Sequence, residues 1–302
     1  MPSANTEGIV LLATVHKLLV YLMMNYFIFN GKFYKEETAL LSVSSRGLRF
    51  GDGLFETIKC KNGQPELLDE HLARLWNGMQ VLQFNIPKHF TPDNLQDEIE
   101  GLLKKNGLSK NARIRLTVFR GDGGLYDDID HKPNYLIQSW PLGEETGNWN
   151  SNGLVLGIYN AVKKSADILS NLKHNNFLPY VMAALYAKKE KWNDAILLNT
   201  DGRLCDTTIA NIFLIKDEVI YTPALTEACV GGVMRRHIIQ VLNTAGYKVV
   251  EGKQTIEDLL DADEVFLSNS IYNIRWVGNI GDKKYNCKLT QKIYATVFST
   301  KT

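Results

Sequence analysis

The stretch Ala166-Asp-Ile-Leu-Ser-Asn-Leu-Lys-His-Asn-Asn-Phe-Leu-Pro-Tyr180 places one lysine, Lys173, in a polar patch directly before an apolar helical run. A lone loop lysine is most often a solvated surface group. A lysine at a strand–helix junction can instead lie at the mouth of a pocket, where partial burial lowers its pKa and makes the amine nucleophilic. Both interpretations of Lys173 are open from this stretch alone, so the surrounding sequence has to separate them.

Length and composition are those of an ordinary globular protein. The 302 residues carry a net charge of +1, so neither a nucleic-acid-binding surface nor an acidic tail is indicated, and we expect a small-molecule partner. The chain is long enough for one large domain or two modest ones. The four cysteines lie far apart, with no histidine at ligand spacing, so we expect no disulfide framework, no metal site and a reducing, cytoplasmic environment.

Residues 1–24 precede the first clear strand pattern. The run Gly8–Met24 is apolar, but His16 and Lys17 lie at its centre, no basic segment precedes it and no small-residue cleavage site follows it. These features fit neither a secretory signal nor a membrane-spanning helix. We therefore predict an N-terminal extension without membrane association.

Hydrophobic periodicity divides the rest of the chain into two predicted domains. Residues 25–143 form the first, with amphipathic helices predicted at Asp69–Leu82 and Thr91–Lys105. Residues 144–153 are polar and contain glycine, which predicts a linker. Residues 154–302 form the second domain, with helices predicted at Asn176–Lys191, Gly231–Ala245 and Ile256–Leu260. Short strands are predicted at residues 25–33, 54–60, 112–119, 134–139, 154–159, 195–199, 212–215 and 264–267.

Common catalytic motifs, such as a nucleophile elbow, a zinc-protease helix or a phosphate-binding P-loop, are absent from the sequence. Several scattered clusters remain. One is Arg46–Lys59, RGLRFGDGLFETIK, in which a glycine-rich turn feeds a strand and would let the backbone approach a ligand. Another is Glu70–Leu75, in which Arg74 lies beside core-facing leucines and would reach inward to hold a phosphate.

Two further clusters lie in the second half of the chain. Asp206 falls in a short predicted strand among small and apolar residues, where a carboxylate needs a cationic partner. Gly231-Gly232 opens a predicted helix, whose free N–H groups and dipole favour a phosphate. Singly, each is explained by a turn or a glycine-rich helix start. Together with Lys173 and Arg74 they supply what a pyridoxal phosphate site requires: an amine, an acid for the ring nitrogen and a phosphate cradle.

The joint pattern resembles the class IV aminotransferase family, the fold-type IV pyridoxal phosphate enzymes. The motifs FGDGLFET, EHLARL, LKHNN, D-G-x-x-x-[ED]-x-x-x-x-N-[IL]-F and GGVMR occur in the family's order, within a match that runs from about residue 25 almost to the C-terminus. The resemblance implies an α+β fold with an N-terminal α/β sandwich and a C-terminal pseudo-barrel domain. It also implies pyridoxal 5'-phosphate as the cofactor, an amino substrate and a homodimer.

The resemblance further implies roles for individual residues. Lys173 corresponds to the lysine that forms the Schiff base with the cofactor and acts as general acid and base. The phosphate-binding groups correspond to Arg74, the backbone N–H groups of Val233 and Met234, and Ser270. Asp206 falls where the family usually has glutamate, which is one methylene longer. We therefore expect its contact with the ring nitrogen to need a small shift of the ring or a bridging water.

Two enzymatic activities of the family remain open from the sequence. A 4-amino-4-deoxychorismate lyase, which forms 4-aminobenzoate and pyruvate for folate synthesis, is favoured by Phe55-Glu-Thr57, Arg120-Gly-Asp-Gly-Gly124 and Lys173-His-Asn-Asn176. An aminotransferase acting on branched-chain or other amino acids is the alternative, and a non-catalytic ligand-binding relative is a third. In either enzyme, Arg115 and Arg120 are candidates for binding substrate carboxylates, although ordinary surface arginines fit the same pattern.

Overall fold

The computed structural model describes residues 26–126 and 129–298, so the extension predicted for residues 1–24 lies outside the described residues. Two β-sheets organise the described chain, each packed against helices around its own hydrophobic core. The predicted α+β class is confirmed. Within these two ranges, no helix combines the length and the apolar character needed to cross a lipid bilayer.

The first sheet is antiparallel and has six strands in the order β2-β1-β6-β5-β3-β4. They are β1 (Tyr26–Phe29), β2 (Lys32–Lys35), β3 (Gly53–Lys61), β4 (Gln64–Pro65), β5 (Ala112–Arg120) and β6 (Pro133–Pro141). In the register of β3 against β5, Thr57 lies opposite Arg115 and Lys59 opposite Arg113. Because side chains alternate between the two faces of a strand, these four residues share one face of the sheet.

Helices cover the other face of this sheet. They are α2 (Leu68–Val81) and α3 (Pro92–Lys105), preceded by the short α1 (Arg46–Phe50). The apolar face of α2 is buried at Leu72, Leu75 and Met79, and Thr91 caps α3, with Thr91 Oγ1 accepting from Asn94 N at 3.3 Å. Helix α1 replaces part of the predicted glycine-rich loop, and Gly51, with φ of 65°, ends it in the left-handed region that glycine tolerates.

The second sheet has nine strands, in the order β12-β11-β10-β13-β14-β7-β8-β9 with β15 paired to β14. They are β7 (Leu154–Lys164), β8 (Asp194–Asn199), β9 (Leu204–Thr207), β10 (Asn211–Lys216), β11 (Val219–Pro223), β12 (Val249–Gly252), β13 (Glu264–Asn269), β14 (Asn273–Ile280) and β15 (Lys283–Lys284). The sheet curls until Leu204 N, at one edge, donates to Gln254 O, just beyond the other edge, at 2.8 Å. This curled half-barrel is the predicted pseudo-barrel.

The helices of this half are α4 (Leu178–Lys189), α5 (Val233–Thr244), α6 (Ile256–Asp261) and α7 (Lys288–Phe298). Helix α5 begins at Val233, with Gly232 as its N-cap, two residues later than predicted. The polar connection predicted as a linker contains neither helix nor strand, but Gly147 O accepts from Tyr294 Oη at 2.8 Å. The sequence did not indicate α7, β11, β12, β14 or β15.

Candidate active site

A cavity of about 310 Å³ lies between the two sheets. Strands β3 and β5 form one wall, and β9, β13 and the start of α5 form the other. Most of the residues singled out from the sequence line this cavity: Arg74, Arg115, Lys173, Asp206, Val233, Met234 and Ser270. Residues that are up to 196 positions apart in the sequence (Arg74 and Ser270) therefore line the same cavity.

Lys173 lies in the irregular segment between β7 and α4, and this segment is fastened to the first sheet. Phe55 N donates to Lys173 O at 2.8 Å, and Asn175 N donates to Gly53 O at 2.9 Å. A Cβ on Gly53 would lie 2.4 Å from Val118 O and 2.7 Å from Asn175 Nδ2, so glycine lets both β5 and the Lys173 segment pack closely against β3. The backbone of Lys173 is thereby held against β3, and its Nζ lies 4.5 Å from the centroid of the Phe55 ring.

The environment of the Lys173 amine favours its neutral form. Burial and then the nearby Arg74 guanidinium lower its pKa to about 8, although the carboxylate of Glu56 acts in the opposite direction. An amine with this pKa is partly deprotonated at neutral pH, which a lysine nucleophile requires. Lys173 is therefore not an ordinary surface lysine.

A buried carboxylate, that of Glu56, binds the guanidinium of Arg74. Its Nε donates to Glu56 Oε1 at 2.8 Å, its Nη2 pairs with Glu56 Oε2, and His71 Nδ1 lies 2.7 Å from the same Oε2. Burial would raise the pKa of Glu56, but Arg74 and His71 outweigh it and lower the pKa to about 2. Arg74 Nη1 also donates to Gly231 O at 3.1 Å, so the arginine is fixed against the start of α5.

The start of α5 is an open anion site. The N–H groups of the first turn have no partner inside a helix, and no side chain caps this end. A Cβ on Gly232 would lie 2.0 Å from Asn211 Oδ1, so glycine lets the helix start pack this closely. Beside it, the buried Ser268 Oγ has no hydrogen-bond partner among the residues that the structure describes. N–H groups, a hydroxyl and Arg74 together form a donor set that suits a phosphate.

The cavity is also lined by a carboxylate, on β9. Asp206 Oδ2 lies 3.2 Å from Lys164 Nζ and accepts hydrogen bonds from Tyr180 Oη at 3.1 Å and Val230 N at 3.0 Å. Lys164 Nζ also donates to Tyr180 Oη, and all three side chains are buried. Among the described residues, Oδ1 has only the longer contact with Lys164, at 3.4 Å. Asp206 thus has its cationic partner and keeps an oxygen with room for a donor in the cavity.

Arg115 and Arg120, the two predicted carboxylate-binding arginines, are separated by the structure. Arg115 lines the cavity, with its guanidinium 3.8 Å from the Phe55 ring centroid. Arg120 does not line it: its guanidinium donates to Asp52 Oδ2 at 2.9 Å and to Leu82 O. The two positions are five residues apart on one strand, so their side chains leave opposite faces of the sheet.

Several residues of this site, Ser268 and His71 among them, were not singled out from the sequence. Glu56 lay inside a motif that was already quoted, and Arg113 is two positions from Arg115, a spacing that places both on one face. Tyr180 follows Pro179 in the first turn of α4, and no sequence pattern distinguishes it from other helix residues. Lys164 ends β7 beyond a break in the strand register, and no sequence signal points to it.

The residues present fit pyridoxal phosphate. The donor set at α5 suits its phosphate, Asp206 Oδ1 suits a ring N–H, and the Lys173 amine lines the same cavity. The orphaned Ser268 hydroxyl gives independent support, because a buried polar atom without a partner implies a group that the protein is built to receive.

Comparison with known proteins gives the same assignment. The sequence matches the amino-transferase class IV family over residues 53–280. It is 33% identical over 240 residues to an aminodeoxychorismate lyase of Vibrio harveyi, which covers 79% of this chain and 86% of that protein. The branched-chain amino acid aminotransferase of Escherichia coli superposes with a TM-score of 0.82 at 26% identity, covering 92% of this chain and 94% of that one. The 4-amino-4-deoxychorismate lyase of Pseudomonas aeruginosa superposes with a TM-score of 0.78 at 27% identity, covering 91% and 99%.

The chain belongs to the class IV aminotransferases. It is an enzyme of the lyase or transaminase kind, and the family implies pyridoxal phosphate as its cofactor. One fold serves both activities, so the particular reaction has to be argued from the cavity.

Proposed function

We propose that the protein is a pyridoxal phosphate-dependent 4-amino-4-deoxychorismate lyase that forms 4-aminobenzoate and pyruvate. The structural observation that supports a carboxylate-bearing substrate is Arg115. Its guanidinium stacks on Phe55 and donates only to Thr117 Oγ1, at 3.3 Å, so among the described residues it has no carboxylate partner. A carboxylate of the substrate would satisfy this cation. Because amino acids also carry a carboxylate, the choice of the lyase is supported by the 33% identity to the aminodeoxychorismate lyases of Vibrio harveyi and Bacillus subtilis, against 26% to the branched-chain aminotransferase of Escherichia coli.

The phosphate end of the cofactor is assigned to the start of α5. Arg74, the N–H groups of Val233 and Met234, and the hydroxyls of Ser268 and Ser270 would hold it. Glu56 and His71 support this arrangement indirectly, because they fix the guanidinium of Arg74. A fixed guanidinium loses less conformational freedom when the phosphate binds.

The reacting end is assigned to Lys173 and Asp206. When bound, pyridoxal phosphate supplies a ring that takes up the electron pair released at the substrate carbon bearing the amine. Lys173 would bind the cofactor's aldehyde carbon, and its amine, once freed, would remove the proton from the substrate carbon that bears the amino group. Asp206 would hold the proton on the ring nitrogen, with its own charge stabilised by Lys164 and Tyr180. As the bond from the neighbouring ring carbon to the enolpyruvyl oxygen breaks, Lys173 would return its proton to the leaving group, which becomes pyruvate, and the ring becomes the aromatic amine.

The cofactor assignment is tested by trapping rather than by activity. Apo-protein is incubated with pyridoxal phosphate and reduced with borohydride, and the added pyridoxyl group is located by peptide mass spectrometry. We expect it on Lys173. Because the pKa of Lys173 is lowered to about 8, the rate of labelling should rise about tenfold per pH unit below that value and level off above it. Labelling spread over surface lysines would contradict the assignment.

The reaction is tested by incubating the loaded enzyme with 4-amino-4-deoxychorismate and measuring 4-aminobenzoate and pyruvate. A parallel reaction contains branched-chain amino acids and 2-oxoglutarate. Stoichiometric 4-aminobenzoate and pyruvate are the expected products. Keto acid formation in the second reaction, with no aminobenzoate in the first, would replace the lyase with the aminotransferase that the Escherichia coli structure makes the second candidate.

We also propose that the enzyme is a cytoplasmic homodimer. Helix α4 supports the dimer, because one of its faces is apolar and exposed at Leu178, Val181, Met182 and Leu185. These side chains follow the spacing of one helix face, and a second copy of the chain would cover them. Light scattering of Leu185→Glu should give a smaller mass than the unaltered protein; a monomer in both samples would contradict the dimer. The four free thiols fit a reducing compartment.

A further inference from the structure

Arg113 and Arg115 form a pair of cations on one face of β5. Both line the cavity, and two residues along a strand separate their Cα atoms by about 7 Å. The Arg113 guanidinium lies 4.5 Å from the centroid of the Trp140 ring, on the exposed side of the pair. Arg113 is one of the causes, after burial, of the lowered pKa of Arg115, so the two charges repel each other in the protein alone.

Among the described residues, Lys59, a cation next to this arginine pair, has a carboxylate partner that the two arginines lack. Lys59 lies opposite Arg113 in the sheet, and its Nζ is bound by Glu66 Oε2 at 2.8 Å and by Asn273 Oδ1 at 2.7 Å. In the part of the chain that the structure describes, neither Arg113 nor Arg115 has such a carboxylate. Asp206 is the one carboxylate among the residues lining the cavity, and Lys164 already pairs with it. Two neighbouring cations without carboxylate partners attract anions from outside the chain.

The order of groups along the cavity gives the substrate a direction. Lys173 Nζ and the Arg115 guanidinium both lie over the Phe55 ring, at 4.5 and 3.8 Å from its centroid. Arg113 follows on the far side of Arg115, toward solvent. A substrate whose amine reaches the Lys173 end therefore places a first anionic group at Arg115 and a second, more distant one at Arg113.

We propose that Arg113 is a specificity-determining residue that binds a second carboxylate of the substrate and, with Arg115, selects amines carrying two carboxylates. This proposal rests on the proposed function of the same site. Arg115 acts as the inner contact, and Arg113, which Trp140 keeps in position, acts as the outer one. A monocarboxylate uses Arg115 alone and gains nothing from Arg113.

The test compares two probes that carry a hydroxyl in place of the amine and therefore do not react with the loaded enzyme: chorismate, which has both carboxylates, and 2-hydroxyisocaproate, whose single carboxylate lies beside the hydroxyl. Binding is measured by calorimetry in the unaltered protein, Arg113→Gln and Arg113→Lys. Arg236→Gln is the control, because it removes an equal charge from an exposed position outside the cavity. We expect Arg113→Gln to weaken chorismate about tenfold and to leave 2-hydroxyisocaproate unchanged, since a single charge-assisted contact is lost. Arg113→Lys should restore most of the affinity.

Two results would overturn the proposal: unchanged chorismate binding in Arg113→Gln, or an equal loss for both probes. The lyase assay separates this failure from failure of the proposed function. Formation of 4-aminobenzoate with the same KM in Arg113→Gln would retain the lyase and remove Arg113 from specificity. Chorismate binding that depends on Arg113, in an enzyme that forms no 4-aminobenzoate, would retain the dicarboxylate site and remove the lyase.

Discussion

The two ends of the proposed cofactor site are built alike but with opposite charge. At the proposed phosphate end a cation, Arg74, lines the cavity and is bound by a buried carboxylate, Glu56. At the proposed ring end a carboxylate, Asp206, lines the cavity and is bound by a buried cation, Lys164. Each inner charge has a partner, so neither is left uncompensated in the low-dielectric interior when the cavity holds no ligand.

The difference between the ends lies in what each leaves open. Arg74 is reinforced by N–H groups at the start of α5, which together accept a diffuse anion. Asp206 keeps one oxygen, Oδ1, with a single long contact, which suits one directed N–H. A buried ion pair is thus present at both ends of the proposed site. It supports a broad anion site at the phosphate end and a single hydrogen-bond acceptor at the ring end.

The largest expected loss of activity comes from removing the amine of Lys173. Lys173→Ala should lower kcat by about 10⁴-fold or more, because neither end can replace the nucleophile and base. Steady-state kinetics with 4-amino-4-deoxychorismate measure this. Lys163→Ala is the matched control, because Lys163 is exposed and, among the described residues, its side chain bonds only to Asn160. Comparable losses in both variants would mean that Lys173 has no special role.

Asp206→Asn breaks the ring end alone. The amide keeps the size of the carboxylate but not its charge, so we expect kcat/KM to fall about 10²- to 10³-fold. The phosphate end should be unaffected, and affinity for inorganic phosphate, measured by calorimetry on the apo-protein, should stay the same. Loss of phosphate affinity in this variant would show that the two ends are not independent.

Glu56→Gln breaks the phosphate end by removing the charge behind Arg74. The pKa of Glu56 is lowered from 4.5 to about 2, which corresponds to about 3 kcal/mol of folding stability. A lowered carboxyl pKa stabilises the fold above pH 4.5, and this contribution is lost as the pH falls toward 2. Urea unfolding should therefore show the unaltered protein losing its advantage over Glu56→Gln through that window.

The control for Glu56→Gln is Glu144→Gln, which removes a carboxylate from the exposed pair with Lys110. Surface pairs contribute little, so its urea midpoint at pH 7 should not change. Equal destabilisation by the two substitutions would mean that the buried position of Glu56 is irrelevant.

Lys164→Met has the smallest expected effect, because Tyr180 and Val230 N still donate to Asp206. Removing one of three donors from a buried carboxylate should cost the apo-protein about 2 kcal/mol. Pyridoxal phosphate brings a ring N–H to the same carboxylate, so it should raise the melting temperature of the variant more than that of the unaltered protein. An equal rise in both would separate Lys164 from the ring end of the site.

The phosphate end was largely predictable from the sequence, and the ring end was not. Arg74 and the helix start at Gly232 follow from local patterns, a helix face and a glycine pair, that survive folding. Lys164 reaches Asp206 because the register of β7 against β8 shifts between Tyr159 and Lys163. The alternation of side chains between the two faces of a strand is interrupted at such an irregularity. The face on which Lys164 lies therefore depends on strand pairing, and the neighbouring sequence does not reveal it.

Strand alternation also explains where the prediction for Arg120 differs from the structure. Arg115 and Arg120 were grouped because both are arginines on or near one strand, yet an odd separation puts them on opposite faces. The same rule, applied to Arg113 and Arg115, would have identified the pair that lines the cavity. The helix α7 and strands β11, β12 and β14 were missed because their short or mixed patterns gain stability only from packing within the completed sheet.

The hydrogen bond from Phe55 N to Lys173 O joins the two halves of the molecule at the reactive amine. That amide proton exchanges with solvent when this hydrogen bond opens. Its exchange rate in deuterated water therefore reports how often the Lys173 segment separates from β3, and a bound cofactor that contacts both should slow it. One backbone amide, Phe55 N, therefore reports both cofactor binding at Lys173 and the stability of the contact between the Lys173 segment and β3.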